Sequence, residues 1–324
     1  MRTLPRIKIA QLPTPVEYLP NLSADLGGPR IIVKRDDLTG LALGGNKTRK
    51  LEYLLAEAQA NGAHTIITAG AVQSNHCRQT AAACARLNFD CILVLSGDKP
   101  PAATGNLMLD KLFGAELIWS PYQERDQLLQ KTFENAWEAG RRPFLIPYGG
   151  SNTTGASAYV YAVQELLGQD YHPDWIIFAS SSGGTQAGLV AGAKLFDFSG
   201  RVLGISVDEP AIELRERVAT LATATSDILG EKTTILAQEI LVNDDYIGAG
   251  YGIMGAAEIE AIRLFARTEG LLLDPVYTGR AAVGMIDLIR RGYFKSDDTV
   301  LFWHTGGIPA LFSDKYIKLV DPIE

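Results

Sequence analysis

Trp175-Ile-Ile-Phe-Ala-Ser-Ser-Ser-Gly-Gly-Thr-Gln-Ala-Gly-Leu-Val-Ala-Gly-Ala-Lys-Leu195 carries the pattern that decides the fold. Its first five residues form a short apolar run, too brief for a helix and rich in β-branched and aromatic side chains, so 175–179 is predicted as a strand. Serines and glycines then break the run, and 186–195 reads as a helix. The same strand, turn and helix recur outward in both directions. Towards the N-terminus, strands are predicted at 31–33, 65–68, 91–95, 117–119 and 144–146, and helices at 47–60, 75–87, 106–112, 126–139 and 156–167. Towards the C-terminus, strands are predicted at 202–207 and 300–303, and helices near 212–221, 255–268 and 281–291. Such alternation argues for an α/β fold, with mostly parallel sheets covered by helices on both faces.

The 324 residues exceed the roughly 250–300 at which a single core stops growing, so one large or two interlocked domains are expected. No linker is visible, which suits domains interleaved in sequence. A composition of 47% hydrophobic and 21% charged residues excludes a mainly disordered chain. Thirty Lys and Arg against 37 Asp and Glu give a net charge of −7, which argues against a broad nucleic-acid footprint. No run reaches the roughly 18 apolar residues of a membrane span. The opening MRTLPRIKIAQLPTP lacks the apolar core of a secretory signal, so the expectation is a cytoplasmic chain. Cys77, Cys84 and Cys91 are too few for a disulfide framework, and neither they nor the histidines show metal-ligand spacing. No metal site is expected.

Five stretches could carry chemistry. In Gly44-Gly-Asn-Lys47-Thr-Arg-Lys50, a lysine follows a glycine turn where a loop becomes a helix. Such a lysine can be desolvated and used as an amine nucleophile. The stretch also fits a solvated basic helix start, although cations are disfavoured at the positive end of a helix and hint at a nearby anion. Gln73-Ser74-Asn75-His76 lies between a predicted strand and helix, at the edge where α/β proteins bind ligands. Ser74 or Asn75 fits an N-cap as well as a carboxylate contact. Ser181-Ser182-Gly183-Gly184-Thr185 fits a phosphate cradle or an ordinary glycine-rich turn. Asp274-Pro-Val-Tyr277-Thr278-Gly and His304-Thr305-Gly-Gly offer a tyrosine acid or base and a hydroxyl partner, or a core tyrosine and a strand-end hydroxyl.

Taken together and in this order, the five motifs resemble the D-cysteine desulfhydrase and 1-aminocyclopropane-1-carboxylate (ACC) deaminase group of pyridoxal-phosphate enzymes. The resemblance covers essentially the whole chain, from Leu12-Pro-Thr-Pro to Ile308-Pro-Ala-Leu. It implies a tryptophan synthase β-like fold of two three-layer α/β/α domains with open twisted sheets. The larger, cofactor-binding domain would comprise 1–47 and 158–324, with 48–157 inserted as the smaller one and the cofactor in the cleft between them. A homodimer acting on a small amino acid is implied as well. Lys47 would carry pyridoxal phosphate as a Schiff base. Ser182, Gly183, Gly184 and Thr185 would hold its phosphate with Lys50 adding charge, Asn75 would bond its ring oxygen, and Thr305 would face its ring nitrogen. Ser74, Asn75 and the His76 amide would hold the substrate carboxylate, with Tyr251, Tyr277 and Thr278 flanking the substrate. The Cα proton would pass to Lys47 or Tyr277.

ACC deaminases read Tyr-Glu after Asp-Pro-Val and Leu before the final Gly-Gly, where this chain has Thr278 and Thr305. The missing carboxylate argues for β-elimination from D-cysteine to pyruvate, ammonia and hydrogen sulfide. L-Cysteate sulfo-lyases share the Lys47 motif, including the threonine at 48, which leaves sulfite as an alternative leaving group. A catalytically silent amino-acid-binding protein on the same fold is the alternative from another class, against which stands the joint presence of Lys47, Ser74, Asn75 and Tyr277.

Overall fold

Two sheets organise the computed structural model, which describes residues 1–317. The larger sheet holds β1 (Val16–Tyr18), β2 (Arg30–Arg35), β7 (Trp175–Ser180), β8 (Arg201–Ser206), β9 (Leu241–Asn243) and β10 (Thr299–His304), in the order β1-β2-β10-β7-β8-β9. The smaller holds β3 (Thr65–Ala71), β4 (Asp90–Ser96), β5 (Glu116–Ser120) and β6 (Pro143–Leu145), in the order β5-β4-β3-β6. Every pairing is parallel except that of β1 with β2. All strands of the smaller sheet fall inside the insertion expected at 48–157, and those of the larger sheet fall outside it. Residues 318–324 of the expected larger domain lie outside the described residues.

Side chains alternate across a strand, so the continuous apolar run of β10 feeds two cores. Val300 and Phe302 pack with Phe265 and Met285 from the helices Ala256–Glu269 and Thr278–Arg290. Leu301 and Trp303 pack on the opposite face with Tyr159 and Val163 from the helix Thr153–Gly168. All four strand side chains are fully buried, each contributing roughly 1.5–3 kcal/mol. The smaller sheet is covered by the helix Asn75–Leu87, whose Cys77, Ala81 and Cys84 join Ile66, Leu93 and Leu95.

The structure adds elements that sequence periodicity does not reveal. β1 and β9 have three residues each, too few to show alternation, and the helix Pro20–Leu26 is only two turns long. The helix expected near 212–221 continues to Ile228, because Ala222, Thr225 and Ser226 are buried against its neighbours although they are small or polar.

Candidate active site

Parallel strands release their chains at one edge, and four of these exits converge on a single cavity. β3 leads to Ser74, Asn75 and His76, β7 to Ser180–Gly183, β10 to Thr305, and β6 to Tyr148. Asn46, Lys47, Thr185 and Tyr277 complete this part of the lining.

Lys47 is placed by the turn before it. Gly44 and Gly45 have φ of 65° and 128°, a region open to glycine. A Cβ on Gly44 would collide with the Asp37 carbonyl, and one on Gly45 would sit 2.7 Å from Gln79 Nε2. The turn ends with the Asn46 amide donating to the Thr305 carbonyl (3.0 Å), which ties the Lys47 helix to the end of β10. The Lys47 amine donates to Asn46 Oδ1 at 3.2 Å. Burial pulls it from 10.5 down to about 8, partly offset by Asp274. Burial and the Lys47 charge hold Lys50 well below its ordinary value. Its Nζ reaches the Gly149 carbonyl (3.2 Å) and Ser151 Oγ (3.5 Å), one layer behind the lining.

Ser74 caps the helix Asn75–Leu87 by accepting from the Cys77 amide at 3.2 Å. The Asn75 and His76 amides, in the first turn, make no hydrogen bond among the described residues, and both residues line the cavity. The His76 ring points elsewhere: its Nε2 meets Thr68 Oγ1 at 3.0 Å. Burial, with Lys47 and Lys50 nearby, keeps that ring neutral by holding its pKa well below the ordinary value.

At the start of the helix Gly184–Leu195, the amides of Ser182, Gly183 and Thr185 make no hydrogen bond among the described residues. The Gly184 amide donates to Ser151 Oγ at 3.2 Å, and Ser151 meets Ser182 Oγ at 2.8 Å. Thr185 Oγ1 accepts from Asn46 Nδ2 at 3.1 Å, leaving its own proton to donate. The Ser180 hydroxyl is buried without a partner among the described residues. Free amides at a helix N-terminus, unspent hydroxyls and the buried Lys50 amine, which bonds no carboxylate among the described residues, fit an anionic phosphate ester, whose charge would favour the protonated amine. The desolvated Lys47 amine in the same cavity fits an aldehyde.

Tyr277 is held by Asp274, whose carboxylate accepts from the amides of Val276 (3.1 Å), Tyr277 (3.1 Å) and Thr278 (2.7 Å). The Tyr277 hydroxyl meets that of Tyr251 at 2.6 Å. Burial raises both phenols well above their ordinary value, so both are neutral at neutral pH. The Thr305 side chain lines the cavity, and its hydroxyl makes no hydrogen bond among the described residues.

The structure thus gathers Lys47, Ser74, Asn75, His76, Ser182, Gly183, Thr185, Tyr277 and Thr305 around one cavity. Gly184 and Lys50 support the loop from behind, and Tyr251 reaches the site through Tyr277. Thr278, expected to flank the substrate, lies elsewhere. Its hydroxyl is fully buried, donates to Asp274 Oδ1 and accepts from the Asp274 amide, both at 2.7 Å, so its proton is spent within the turn. Sequence reasoning missed Asn46, Tyr148, Ser151 and Asp274. The signal for two of them is Tyr148-Gly-Gly-Ser151, a glycine turn between a strand exit and a helix. No group of His, Cys, Asp and Glu among the described residues could hold a metal ion.

The family model of pyridoxal-phosphate dependent enzymes matches residues 7–306. The D-cysteine desulfhydrase of Salmonella choleraesuis (strain SC-B67) is 42% identical over 318 residues, covering 95% of this chain and 96% of its own. That of Salmonella typhi is 41% identical over the same shares. A solved structure described as an ACC deaminase homologue superposes with a TM-score of 0.90 at 38% identity, over 98% of this chain and 97% of its own. With the family model matching residues 7–306 and relatives along nearly its whole length, this chain belongs to the pyridoxal-phosphate dependent enzyme family.

Proposed function

We propose that this enzyme is a D-cysteine desulfhydrase, converting D-cysteine and water to pyruvate, ammonia and hydrogen sulfide by β-elimination. Relatives of that name along 95% of the chain support the reading. The observation that carries it is the hydroxyl pair of Tyr251 and Tyr277, 2.6 Å apart, with Tyr277 in the same cavity as Lys47 and threonines at 278 and 305. Bound pyridoxal phosphate supplies the electron sink for loss of the Cα proton and the β substituent.

The residues divide the remaining work. Ser182, Gly183, Gly184 and Thr185 would hold the phosphate, with Lys50 adding charge from behind. Asn75 would donate to the ring oxygen, and the Thr305 hydroxyl would serve the ring nitrogen. Ser74 and the Asn75 and His76 amides hold the substrate carboxylate at the positive end of a helix. Lys47 anchors the cofactor and takes the Cα proton, because an amine near 8 is a far better base than a raised phenol. Tyr277, kept protonated by burial, donates to the departing sulfur, and Tyr251 orients its hydroxyl. Thr278 acts through Asp274 on the Tyr277 turn. In this reading the cleft divides 1–47 plus 158–324 from 48–157, and the chain works as a cytoplasmic homodimer. Three buried free cysteines are consistent with a reducing compartment. No helix among the described residues is long and apolar enough to cross a membrane.

Incubation with D-cysteine, L-cysteine, L-cysteate and ACC, with sulfide, sulfite and 2-oxoacids measured together, tests the assignment. Sulfide and pyruvate from D-cysteine are expected. Sulfite from L-cysteate, or a 2-oxoacid from ACC, without sulfide from D-cysteine would replace it.

Tyr277→Phe keeps the ring and removes the acid. kcat is expected to fall about 10²-fold or more with KM nearly unchanged, because the carboxylate contacts remain. An unchanged kcat with a lowered melting temperature would make Tyr277 a packing residue.

Attachment of the cofactor to the apoenzyme requires the neutral Lys47 amine. Protonation removes that form below its pKa, so the attachment rate should fall about tenfold per pH unit below about 8 and level off above it. A rate still climbing at pH 10 would show that Lys47 keeps the ordinary 10.5.

A further inference from the structure

The geometry points to Asn106 as a positioning residue that fixes which end of the Asn75 side-chain amide faces the cavity. This rests on the reading in which Asn75 donates to the cofactor's ring oxygen. Asn106 is fully buried in the first turn of the helix Gly105–Leu112. Its Nδ2 donates to Asn75 Oδ1 and to the Gln73 carbonyl, both at 2.9 Å. Its Oδ1 accepts from Arg78 Nη1 at 3.1 Å, and its backbone amide donates to Gln73 Oε1 at 2.8 Å.

The two ends of a carboxamide have nearly the same shape, so only their partners decide which is which. Here two partners decide it independently. A guanidinium can only donate, so Oδ1 of Asn106 must face Arg78. A peptide carbonyl can only accept, so Nδ2 must face Gln73. The end that reaches Asn75 is therefore a donor, and Asn75 must answer with its oxygen. Its NH2 group is the end left free. That nitrogen lies close against Gly307, where an added Cβ would approach it to 2.8 Å.

Arg78 anchors the series. Burial pulls its guanidinium down to about 10, partly offset by Asp110 and Asp274, so it stays a charged donor at neutral pH. Its Nη2 donates to the Gly44 carbonyl at 2.7 Å, and Gln79 Nε2 donates to the same oxygen. One guanidinium thus holds the turn that delivers Lys47 and the amide that orients Asn75. Donors run in one direction, from Arg78 through Asn106 to Asn75 and then into the cavity.

Asn106→Asp is the sharpest test, because it keeps size and keeps an acceptor for Arg78 while removing the donor to Asn75. The Asn75 amide must then turn to donate to the introduced carboxylate, presenting its oxygen to the cavity. Four proteins are compared with the parent: Asn106→Asp, Asn106→Ala, Asn75→Leu, and Asn75→Leu with Asn106→Asp. For each, cofactor affinity is measured by titrating the apoenzyme, together with the pH midpoint of the visible band, kcat, KM and the melting temperature. Asn106→Asp should weaken cofactor affinity and kcat by about 10- to 100-fold, the range of a lost hydrogen bond to a charged group. An acceptor beside the ring oxygen makes it hold a proton more tightly, so the band midpoint should rise by roughly one unit. The double variant should be no worse than Asn75→Leu alone. If Asn106→Asp fails to fold, Asn106→Ala, which leaves Asn75 free to turn, should show the same shifts at smaller size.

The outcomes separate the inference from the reading beneath it. If Asn75→Leu shifts the band and affinity while the Asn106 variants do not, Asn75 keeps its role and the inference fails. If neither position shifts them, the reading of Asn75 fails and takes the inference with it. A shift from Asn106→Asp without one from Asn75→Leu, or additive losses in the double variant, would also overturn it, because Asn106 would then act by another route.

Discussion

Lys47→Ala is expected to lower turnover by at least about 10⁴-fold while leaving the fold in place, since no other amine can take over attachment and proton transfer. Lys50 lies on the same helix, but it is not part of the lining, and its Nζ is bonded to the Gly149 carbonyl and Ser151 Oγ. The fold should survive for local reasons. Alanine favours a helix, and removing a cation from the positive end of the helix Asn46–Ala60 relieves an unfavourable charge. Burial disfavours the charged amine, as its lowered pKa of about 8 indicates, so the apo variant should melt no lower than the parent at neutral pH. Borohydride reduction should fix the cofactor to the parent and not to the variant, as read by mass spectrometry. Retained turnover, or cofactor fixed elsewhere, would remove the central assignment.

Asp36→Ala should cost about 5 kcal/mol or more, comparable with the whole stability of many domains. The carboxylate is fully buried and accepts from Arg49 Nε and Nη2, Thr14 Oγ1, the Tyr159 hydroxyl and the Trp303 indole, at 2.6–3.0 Å. These groups include the start of the Lys47 helix, the helix Thr153–Gly168 and β10, so one side chain joins three elements behind the site. Arg49 and Lys34 also share Glu165, which makes two cations and two anions. Removing one anion strands a buried charge and leaves the tyrosine and indole donors without this acceptor, each at about 1–3 kcal/mol.

Burial pushes the Asp36 carboxyl up, but Arg49, Tyr159 and Trp303 more than offset this, and the net pKa lies below its ordinary 3.8. Its ionised form therefore stabilises the fold above pH 3.8, and that contribution is lost as pH falls through the lower folded value. Urea midpoints should fall sharply in Asp36→Ala at pH 7, and its stability should change less than the parent's below about pH 4. A midpoint equal to the parent's would sink this account. Asn46–Lys47 would also lose their backing, so partial loss of cofactor affinity should accompany the lost stability.

Local signals were readable wherever physics acts within a few residues. The runs 175–179 and 300–303 are apolar because both faces of a central parallel strand are buried, and such a run declares itself without reference to the rest of the chain. The glycines at 44–45 and the serines and glycines at 181–184 mark turns for the same reason. Three-residue strands such as β1 and β9 leave no period to read, and their pairing with β2 and β8 is a long-range event.

The residue types at the site were equally legible, but not what each side chain touches. Thr278 and Thr305 both follow strong motifs, yet of the two only Thr305 lines the cavity, because the Thr278 hydroxyl is buried and bonded into the turn at Asp274. The His76 ring is engaged by Thr68 on β3, a bond between side chains that no local pattern announces. Asn106 carries no motif and Tyr148 only a strand exit; they matter through partners 28 to 33 residues away for Asn106, and through the cavity that four strand exits share for Tyr148. The sequence by itself determined the strand–helix alternation, the glycine turns and the supply of amine, hydroxyl and amide groups, because backbone preference and burial period act locally. Only the tertiary structure decided which of those groups meet and which way their hydrogen bonds run, because a donor acquires its role from an acceptor that folding brings to within about 3 Å.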